Sequence, residues 1–370
     1  MRIAFRTDAS IWIGTGHVMR CLTLADELRR QGHECVFVCR EHEGHLGDLI
    51  GKKGFKLHLL SKTDSQQKPS MNEPHLAHAG WLGASWQKDG KETSDLLHNQ
   101  RPDWLVVDHY ALDARWEREV AHEVGQIMVI DDLADREHEC TVLLDQNLGR
   151  QPGDYELLVP SYCSKLIGPQ YALLRPEFSQ IRPESLARRQ SPKLERILIS
   201  LGGVDRTNVT GQVLEALAKS ELPSDVELDI VMGAAAPRLE DIRRQAAELR
   251  FPATVSVSVS DMAERMCKAD LAIGAAGGTA WERCCLGLPS IILVLADNQR
   301  AGAGALAHSA SALVIKETEI ASDLINKIKN VQESGTLAVM AESASVQTAG
   351  KGALEVCHII ETSSRGNRDD

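Results

Sequence analysis

The chain begins with residues 1–39, MRIAFRTDASIWIGTGHVMRCLTLADELRRQGHECVFVC. A short apolar run is followed by a glycine-containing turn, a stretch of mixed polarity and a second apolar run. Within the mixed stretch, apolar residues recur at helical spacing and share one face, namely Val18, Leu22, Ala25 and Leu28. The segment therefore predicts a strand, a helix and a second strand, the unit from which parallel sheets are built.

The same pattern recurs along the chain. Buried strands are predicted at WLVVDHY, IMVIDD and TVLLDQN in the first half, and at RILISLGG, VELDIVMG, TVSVSV, ADLAIGAAGG and SIILVLADN in the second. We therefore predict an α/β protein with two doubly wound, Rossmann-like domains facing each other across a cleft. The predicted parts are an N-terminal domain (1–180), a polar linker (181–192), a C-terminal domain (193–360) and a frayed tail (361–370). Residues 61–100 show little periodicity, and their start is predicted to be a loop.

Composition argues against several classes of function. The 370 residues carry a formal net charge of −11, so a nucleic-acid partner is not expected, because phosphate binding normally requires a basic face. No apolar run approaches the roughly 20 residues that cross a bilayer. The opening MRIAF also lacks the apolar core of a signal peptide. We expect a cytoplasmic protein that acts on a small molecule and binds no membrane.

Cysteine and histidine patterns do not indicate a metal site. The nine cysteines form no CxxC pair, which favours buried thiols over zinc ligands or disulfides. The stretches DDLADREHEC and HLAH contain suitable ligand types, but neither has the HExxH spacing of a helical zinc site. A solvated acidic loop is the favoured interpretation. We therefore expect no metal and no other cofactor.

His17 is the first candidate for chemistry. It follows the glycine turn of Gly14 and Gly16, and it falls in the first turn of the predicted helix. There the positive end of the helix dipole disfavours the imidazolium form, as a general base requires. An ordinary helix residue is the alternative interpretation. Polar residues at the ends of predicted strands are expected to converge on the same sheet edge as His17, namely Asp8, Asp108, His109 and Tyr110. Asp8 and Asp108, together with Gly14 and Gly16, are predicted to bind substrate there.

The second half contains the pattern of a nucleotide site. In IGAAGGTAWE, a strand leads through Gly277, Gly278 and Thr279 into a helix, where backbone N–H groups can meet phosphate oxygens. Glu282 follows one turn later and could accept hydrogen bonds from ribose hydroxyls, or it could be a solvated glutamate. Two other predicted strands end in candidate ligand-binding residues, which are alternatively turn or cap residues: Gly202 and Gly203 in SLGGVDRTN, and Asn298 and Gln299 in LADNQ.

Taken together, several stretches resemble the family of UDP-sugar hydrolases of pseudaminic acid biosynthesis. They are FRTDASIWIGTGHVMRCLTLADEL, VVDHYALD, VIDD, LLDQN, GPQYALLRPEF, SLGGVD, AIGAAGGTAWERCCLGLPSI and ADNQ, in family order from residue 1 to about residue 300. The resemblance implies a GT-B fold similar to that of MurG. It also implies hydrolysis of UDP-2,4-diacetamido-2,4,6-trideoxy-β-L-altropyranose to free sugar and UDP, without a metal. Residues 61–100 exceed the length of this segment in typical members, so the exact sugar is left open.

The resemblance also implies residue roles. His17 matches the family's proposed base, Tyr110 the tyrosine of its DHY motif, and Glu282 the ribose-binding carboxylate, while Asn298 and Gln299 match its NQ pair. Two other classes stay open from sequence. The same fold could transfer the sugar to an acceptor hydroxyl, as MurG-like glycosyltransferases do, or the chain could be a nucleotide-sugar sensor without activity.

Overall fold

The computed structural model describes residues 1–62, 76–234 and 236–366. The chain divides into two compact units, Met1–Leu173 together with Gly352–Asp370, and Leu174–Lys351. Both units consist of a parallel sheet with flanking helices, as the sequence predicted. All nine cysteines are buried free thiols.

The first unit contains a seven-stranded sheet in the order β3-β2-β1-β4-β5-β6-β7. Its elements in chain order are β1 (Arg2–Thr7), α1 (Gly16–Arg30), β2 (Glu34–Arg40), α2 (Gly47–Lys52), β3 (Lys56–Leu60), α3 (Trp86–Leu97), β4 (Trp104–Asp108), α4 (Ala114–Val120), β5 (Gln126–Ile130), β6 (Val142–Asp145) and β7 (Ser164–Ile167). Short 3-10 turns lie at Ala79–Leu82, Ala121–Glu123, Pro152–Tyr155 and Pro169–Tyr171.

The second unit contains a six-stranded sheet in the order β10-β9-β8-β11-β12-β13. Its elements are α5 (Pro176–Arg188), β8 (Arg196–Ser200), α6 (Val209–Ala218), β9 (Glu227–Met232), α7 (Leu239–Ala247), β10 (Ala253–Val257), α8 (Met262–Lys268), β11 (Leu271–Ala275), α9 (Thr279–Cys285), β12 (Ser290–Val294), α10 (Arg300–His308), β13 (Ala312–Lys316), α11 (Ile320–Gln332) and α12 (Thr336–Ser345). Two 3-10 turns lie at Asp297–Gln299 and Glu317–Glu319. The last helix, α13 (Gly352–Gly366), returns to the first unit.

Alternation along the strands explains how the first sheet is covered on both faces. Ile3 and Phe5 of β1 pack in one apolar cluster with α1 and α13, whereas Ala4 between them packs in another with Trp116 of α4. Successive side chains of a strand point to opposite faces, so a strand buried on both sides reads as one continuous apolar run. The predicted apolar face of α1 is in the first of these clusters.

The division between the units differs from the predicted boundaries. The predicted linker, 181–192, includes the second half of α5, which belongs to the second unit. The polar side chains that suggested a linker bond to backbone carbonyls: Ser185 donates to Leu286, and Arg189 donates to Met266 and Ala269. Polar composition therefore reflects capping of neighbouring segments here.

The two stretches predicted to be irregular also differ in part. The predicted tail, 361–370, is helical as far as residue 366, and residues 367–370 lie outside the described part. Residues 63–75, at the predicted loop, lie outside it as well. The rest of the 61–100 segment contains the 3-10 turn Ala79–Leu82 and helix α3.

A buried ionic cluster fixes α3 to the sheet. Asp89 of α3 accepts hydrogen bonds from Arg6 of β1 (Nη2, 2.7 Å), Arg40 of β2 (Nη2, 2.7 Å) and the indole of Trp116 (3.0 Å). Arg6 also donates to Asp8 at 2.6 Å. Burial alone would raise the pKa of Asp89, but the charge of Arg6 and its hydrogen bond, together with the charge of Arg40, lower it. Removal of one partner would leave buried charge without compensation.

We expect Asp89→Ala to destabilise the protein by about 3–5 kcal/mol at neutral pH, because two buried guanidinium groups lose a shared carboxylate. Asp95→Ala, on the exposed face of the same helix, is the control. Its ion pair with Lys91 is 3.8 Å long and both side chains are exposed, so its loss should cost less than about 1 kcal/mol. Thermal unfolding of both variants measures the difference. Equal melting temperatures would show that the cluster contributes no more than a surface pair.

Candidate functional site

The first group of candidate residues lies where the strand order of the first sheet reverses. Strand β1 lies between β2 and β4, so the crossover connections leave in opposite directions on its two sides. Ligands of open parallel sheets bind outside the carboxyl ends of the strands at such a point. His17 follows β1 through the turn of Gly14 and Gly16, while Asp108 and Tyr110 follow β4.

His17 is held by a carboxylate. Its Nδ1 lies 2.6 Å from Oδ1 of Asp108, which is fully buried. Asp108 also accepts two hydrogen bonds from Arg20, from Nε at 2.6 Å and from Nη2 at 2.7 Å. His17 and Arg20 are one helical turn apart on α1, so both can reach the same carboxylate on β4.

The charge state of Asp108 determines the tautomer of His17. Burial alone would raise the pKa of Asp108, but the positive charge of Arg20 and the hydrogen bonds from Arg20 and His17 hold it well below its usual range. The ionised carboxylate can only accept, so Nδ1 of His17 carries a proton and the lone pair of the neutral ring is on Nε2. Within residues 1–62, 76–234 and 236–366, Nε2 has no hydrogen-bond partner. This arrangement is suited to a general base.

Tyr110 is in contact with the same group. Its ring lies edge-on to His17 with 4.6 Å between centroids, and its hydroxyl donates to Oδ2 of Asp132 at 2.8 Å. Arg20 also donates to this oxygen through Nη1 at 2.5 Å. Burial and the neighbouring Asp132 charge raise the pKa of Tyr110 well above its ordinary value. Tyr110 is therefore a neutral hydrogen-bonding group at neutral pH.

Asp8 and His109 lie beneath these residues. Asp8 is fully buried, and it accepts from Arg6 and from the backbone N–H of Arg40 at 2.7 Å. Nε2 of buried His109 lies 3.2 Å from the same carboxylate. These contacts make Asp8 and Asp108 supports of neighbouring side chains, whereas the sequence suggested that both bind substrate. Gly14, with φ of +81°, and Gly16 have open space where a side chain would lie.

Sequence reasoning missed four residues around His17. Arg20 and Asp132 connect His17 and Tyr110 through charged hydrogen bonds, and His78 and Trp81 have rings close to Tyr110. The position of Arg20 three residues after His17 was a usable signal, because residues at that spacing share a helix face. The second aspartate of VIDD, at a strand end, was another. Nothing in the sequence around His78 and Trp81 pointed to this contact.

The second group lies at the reversal of strand order in the second sheet. Strands β8, β11 and β12 are neighbours there, and the predicted glycine turns and the NQ pair follow their carboxyl ends. Gly202 has φ of +100° and open space around it, and a Cβ at Gly233 would overlap the carbonyl oxygen of Gly203. Asp205 caps α6 by accepting from Val209 and Thr210. The turn after β8 is thus a tight, glycine-dependent connection with an exposed backbone.

The turn after β11 has open space on one side and a buried positive charge on the other. Side chains at Gly277 and Gly278 would meet nothing within 4 Å. Beneath it, Arg283 is 2% exposed and donates from Nη2 to the carbonyl of Ala275 at 2.7 Å. Burial lowers the pKa of Arg283 to about 10, so it stays charged at neutral pH. Thr279 begins α9 at the solvent-exposed end of the turn.

Glu282 is a partly buried carboxylate beside this turn. Its side chain is 16% exposed, and its closest ion-pair partner is Arg175, with Nη2 3.7 Å from Oε1. Burial raises the pKa of Glu282 to about 7, although Arg175 and Arg283 oppose the shift. The distance to Arg175 is too long for a direct hydrogen bond. The oxygens of Glu282 are consequently available to a ligand.

Asn298 and Gln299 lie in the 3-10 turn after β12. Asn298 is exposed. Gln299 is half-buried, and its side-chain oxygen accepts from the backbone of Leu295 at 3.1 Å. Asn298 is thus free to reach a ligand, whereas the amide oxygen of Gln299 is used to close the turn.

Within the described residues, no three His, Cys, Asp or Glu side chains lie close enough together to hold a metal ion. No helix in the same part of the chain combines the length and apolarity required to span a membrane.

The fold is that of the GT-B class. It is similar to the crystal structure of Acinetobacter baumannii MurG, with a TM-score of 0.70, 16% identity and coverage of 98% of this chain and 99% of that one. Residues 197–356 match the glycosyltransferase family 28 C-terminal domain.

Curated relatives include proteins with different activities. The UDP-2,4-diacetamido-2,4,6-trideoxy-beta-L-altropyranose hydrolase of Campylobacter jejuni is 28% identical over 66% of this chain and 74% of its own length. A Porphyromonas gingivalis UDP-N-acetylglucosamine--N-acetylmuramyl-(pentapeptide) pyrophosphoryl-undecaprenol N-acetylglucosamine transferase is 24% identical over 95% of both chains. An uncharacterized Methanocaldococcus jannaschii protein is 24% identical over 81% of this chain, which spans only 57% of that relative's length.

Glu282→Gln should stabilise the protein at pH 8 more than at pH 5. Folding raises the pKa of Glu282 from an ordinary value of 4.5 to about 7. The folded state therefore holds an extra proton between these values, and stability falls as the pH rises through this window. At pH 5 the folded wild type is protonated and resembles the variant. At pH 8 the variant avoids an ionisation cost of up to about 3 kcal/mol.

Thermal unfolding at both pH values measures this difference. Glu177→Gln is the matched control, because Glu177 pairs with the same arginine at 3.0 Å but is 41% exposed. A melting-temperature difference between Glu282→Gln and wild type that is the same at pH 5 and pH 8 would contradict the raised pKa.

Proposed function

We propose that the protein hydrolyses the anomeric C–O bond of a UDP-linked 2,4-diacetamido-2,4,6-trideoxyhexose and releases the free sugar and UDP. The observation that carries the proposal is the pairing of His17 with ionised Asp108, which leaves Nε2 of His17 without a partner among the described residues. The relative named as a UDP-2,4-diacetamido-2,4,6-trideoxy-beta-L-altropyranose hydrolase supports this choice of substrate.

In the proposed step, Nε2 of His17 takes a proton from water while the water oxygen bonds to the anomeric carbon. The bond from that carbon to the β-phosphate oxygen breaks, and UDP leaves with the electron pair. A single displacement inverts the anomeric configuration. UDP is a good leaving group, so the step does not require the acidic carboxyl group with which glycosidases protonate a sugar leaving group. Asp108 fixes the ring orientation and stabilises the imidazolium that forms.

The nucleotide is assigned to the second unit. The backbone of the Gly202–Gly203 and Gly277–Gly278 turns is open to a diphosphate, and the buried charge of Arg283 lies beneath the second turn. Backbone N–H groups and a nearby cation stabilise phosphate charge without a metal. Glu282 accepts hydrogen bonds from the ribose hydroxyls, and Asn298 contributes a polar contact at the same edge of the second sheet.

A glycosyltransferase is the second candidate, because the Porphyromonas gingivalis transferase aligns with 95% of both chains. The same base could deprotonate an acceptor hydroxyl instead of water. An assay of UDP release from the UDP-linked diacetamido sugar distinguishes hydrolysis from glycosyl transfer. The release is measured without an acceptor and again with added lipid-linked or free sugar acceptors. Full UDP release without any acceptor supports hydrolysis. Release that depends on an acceptor, with a new glycoside in the product NMR spectrum, would overturn it.

We expect His17→Asn to lower kcat at least about 100-fold, because the general base is removed. The Kd of UDP, measured by calorimetry, should stay within about threefold of wild type, since the nucleotide is assigned to the other unit. Glu282→Ala is the matched control with the opposite pattern. A ribose contact acts in the ground state and the transition state alike, so its loss should weaken UDP binding and raise KM with little change in kcat.

Two outcomes would contradict these assignments. A His17→Asn protein with near wild-type kcat would remove His17 as the base. Unchanged UDP affinity in Glu282→Ala would remove Glu282 from the nucleotide site.

A further inference from the structure

Two aromatic side chains next to His17 have no part in the proposed chemistry. Trp81 lies in the 3-10 turn Ala79–Leu82, and His78 immediately precedes that turn. Both are partly exposed. They belong to the 61–100 segment, for which the sequence offered no function.

Contacts at the end of this turn and just after it hold the turn in place. Leu82, which ends the turn, is 2% exposed and packs in the apolar cluster on one face of the first sheet. Gly83 then reverses the chain with φ of +68°, and Ser85 caps α3 by accepting from the N–H of Lys88. Helix α3 is fixed by Asp89 and its two arginine partners. The position of Trp81 therefore does not depend on its own ring.

The turn brings the two rings against the group around His17. Trp81 stacks on Tyr110 with 5.8 Å between centroids and an interplanar angle of 25°. The ring centroid of His78 lies 4.3 Å from that of Trp81 and 5.4 Å from that of Tyr110. The centroids of Trp81 and His17 are 6.5 Å apart. Four rings thus form one continuous surface that includes the proposed base.

This surface carries little charge of its own. Burial lowers the pKa of His78, and the charge of Arg136 lowers it further, against an opposing effect of Asp135. At neutral pH His78 is therefore a neutral ring. Aromatic faces beside a small number of oriented polar groups are typical of small-molecule sites, where they contact apolar parts of the ligand.

We propose that Trp81 and His78 form the sugar-contacting surface of the site and select a glycosyl group that carries methyl and acetamido groups. The inference rests on the proposed function, because it assigns a sugar to the His17 edge. A deoxy, acylated sugar presents apolar groups to the rings. A fully hydroxylated sugar would place hydroxyl groups against them without hydrogen-bond partners, which weakens its binding.

Trp81→Leu tests the proposal, since it removes the ring but keeps an apolar side chain. With the UDP-linked diacetamido-trideoxyhexose, KM should rise about 5- to 10-fold while kcat stays within about threefold. The preference for this substrate over UDP-N-acetylglucosamine, expressed as the ratio of kcat/KM values, should fall by a similar factor. Trp81→Phe should restore most of the wild-type KM. Trp86→Leu is the matched control and should leave KM unchanged. Trp86 lies at the start of α3, where its ring packs against the guanidinium group of Arg115 of α4, with 5.3 Å between the ring centroid and Cζ.

Binding measurements keep this test independent of turnover. Calorimetry with UDP and with the UDP-sugar gives the ratio of their Kd values for each variant, even if the wild type releases no UDP and the proposed function fails. A ratio of Kd values that changes in Trp81→Leu but not in Trp86→Leu supports a contact between Trp81 and the sugar. Wild-type KM and Kd ratio in Trp81→Leu would overturn it. Equal losses of UDP affinity, kcat and melting temperature would also overturn it, because they would show a purely structural role.

Discussion

The hydrogen bond between Nδ1 of His17 and Asp108 is the interaction on which the candidate chemistry depends. It joins the first turn of α1 to the end of β4, the strand beside β1. Asp108 is fully buried, and its ionisation without a partner would be costly. The two hydrogen bonds from Arg20 are therefore needed to keep it ionised. Without Arg20, the carboxylate would lose the charge that keeps it ionised, and the tautomer of His17 would no longer be defined.

Buried charge supports this arrangement from two sides. Arg20 and Tyr110 share an oxygen of Asp132, so the ends of β4 and β5 are connected through hydrogen bonds. On the other side, Arg6 and Arg40 hold Asp89 and with it helix α3. A network of buried, charged hydrogen bonds of this kind is rigid, because displacement of one member leaves another unsatisfied in a medium of low dielectric constant. The position of the reactive ring is therefore set by groups that need not contact a substrate.

Most of the fold could be predicted from the sequence, because central parallel strands are continuous apolar runs and each ends in polar residues. The strands that went unrecognised were β3, β7 and β13, all of which lie at sheet edges where one side is open. Lys56 and His58 in β3 illustrate the difficulty, since an edge strand tolerates charge that a central strand excludes. The second half of α5 was predicted to be a linker because the stretch is polar and contains proline, but Arg182 of this helix and Arg189 just after it bond to carbonyls distant in sequence.

In the candidate site, too, local sequence pattern revealed some residues, whereas others depend on contacts between segments distant in sequence. His17, Tyr110 and the glycine turns were predictable because each lies between the end of a strand and the first turn of the helix that follows it. Asp132 and Arg20 became apparent as partners only once β5 and α1 were placed beside β4. Trp81 was not predictable, since its contact with Tyr110 depends on how Asp89 fixes the segment that follows it.

The position of bond cleavage tests the central claim most directly. In ¹⁸O-labelled water, a water molecule activated by His17 should place the label at the anomeric oxygen of the released sugar, with UDP unlabelled and the first-formed anomer inverted. Early sampling is required, because ring opening interconverts the anomers and exchanges that oxygen. Mass spectrometry of both products then decides. Label in the sugar alone is the predicted result, and label in the β-phosphate of UDP would contradict attack at carbon and with it the role assigned to His17.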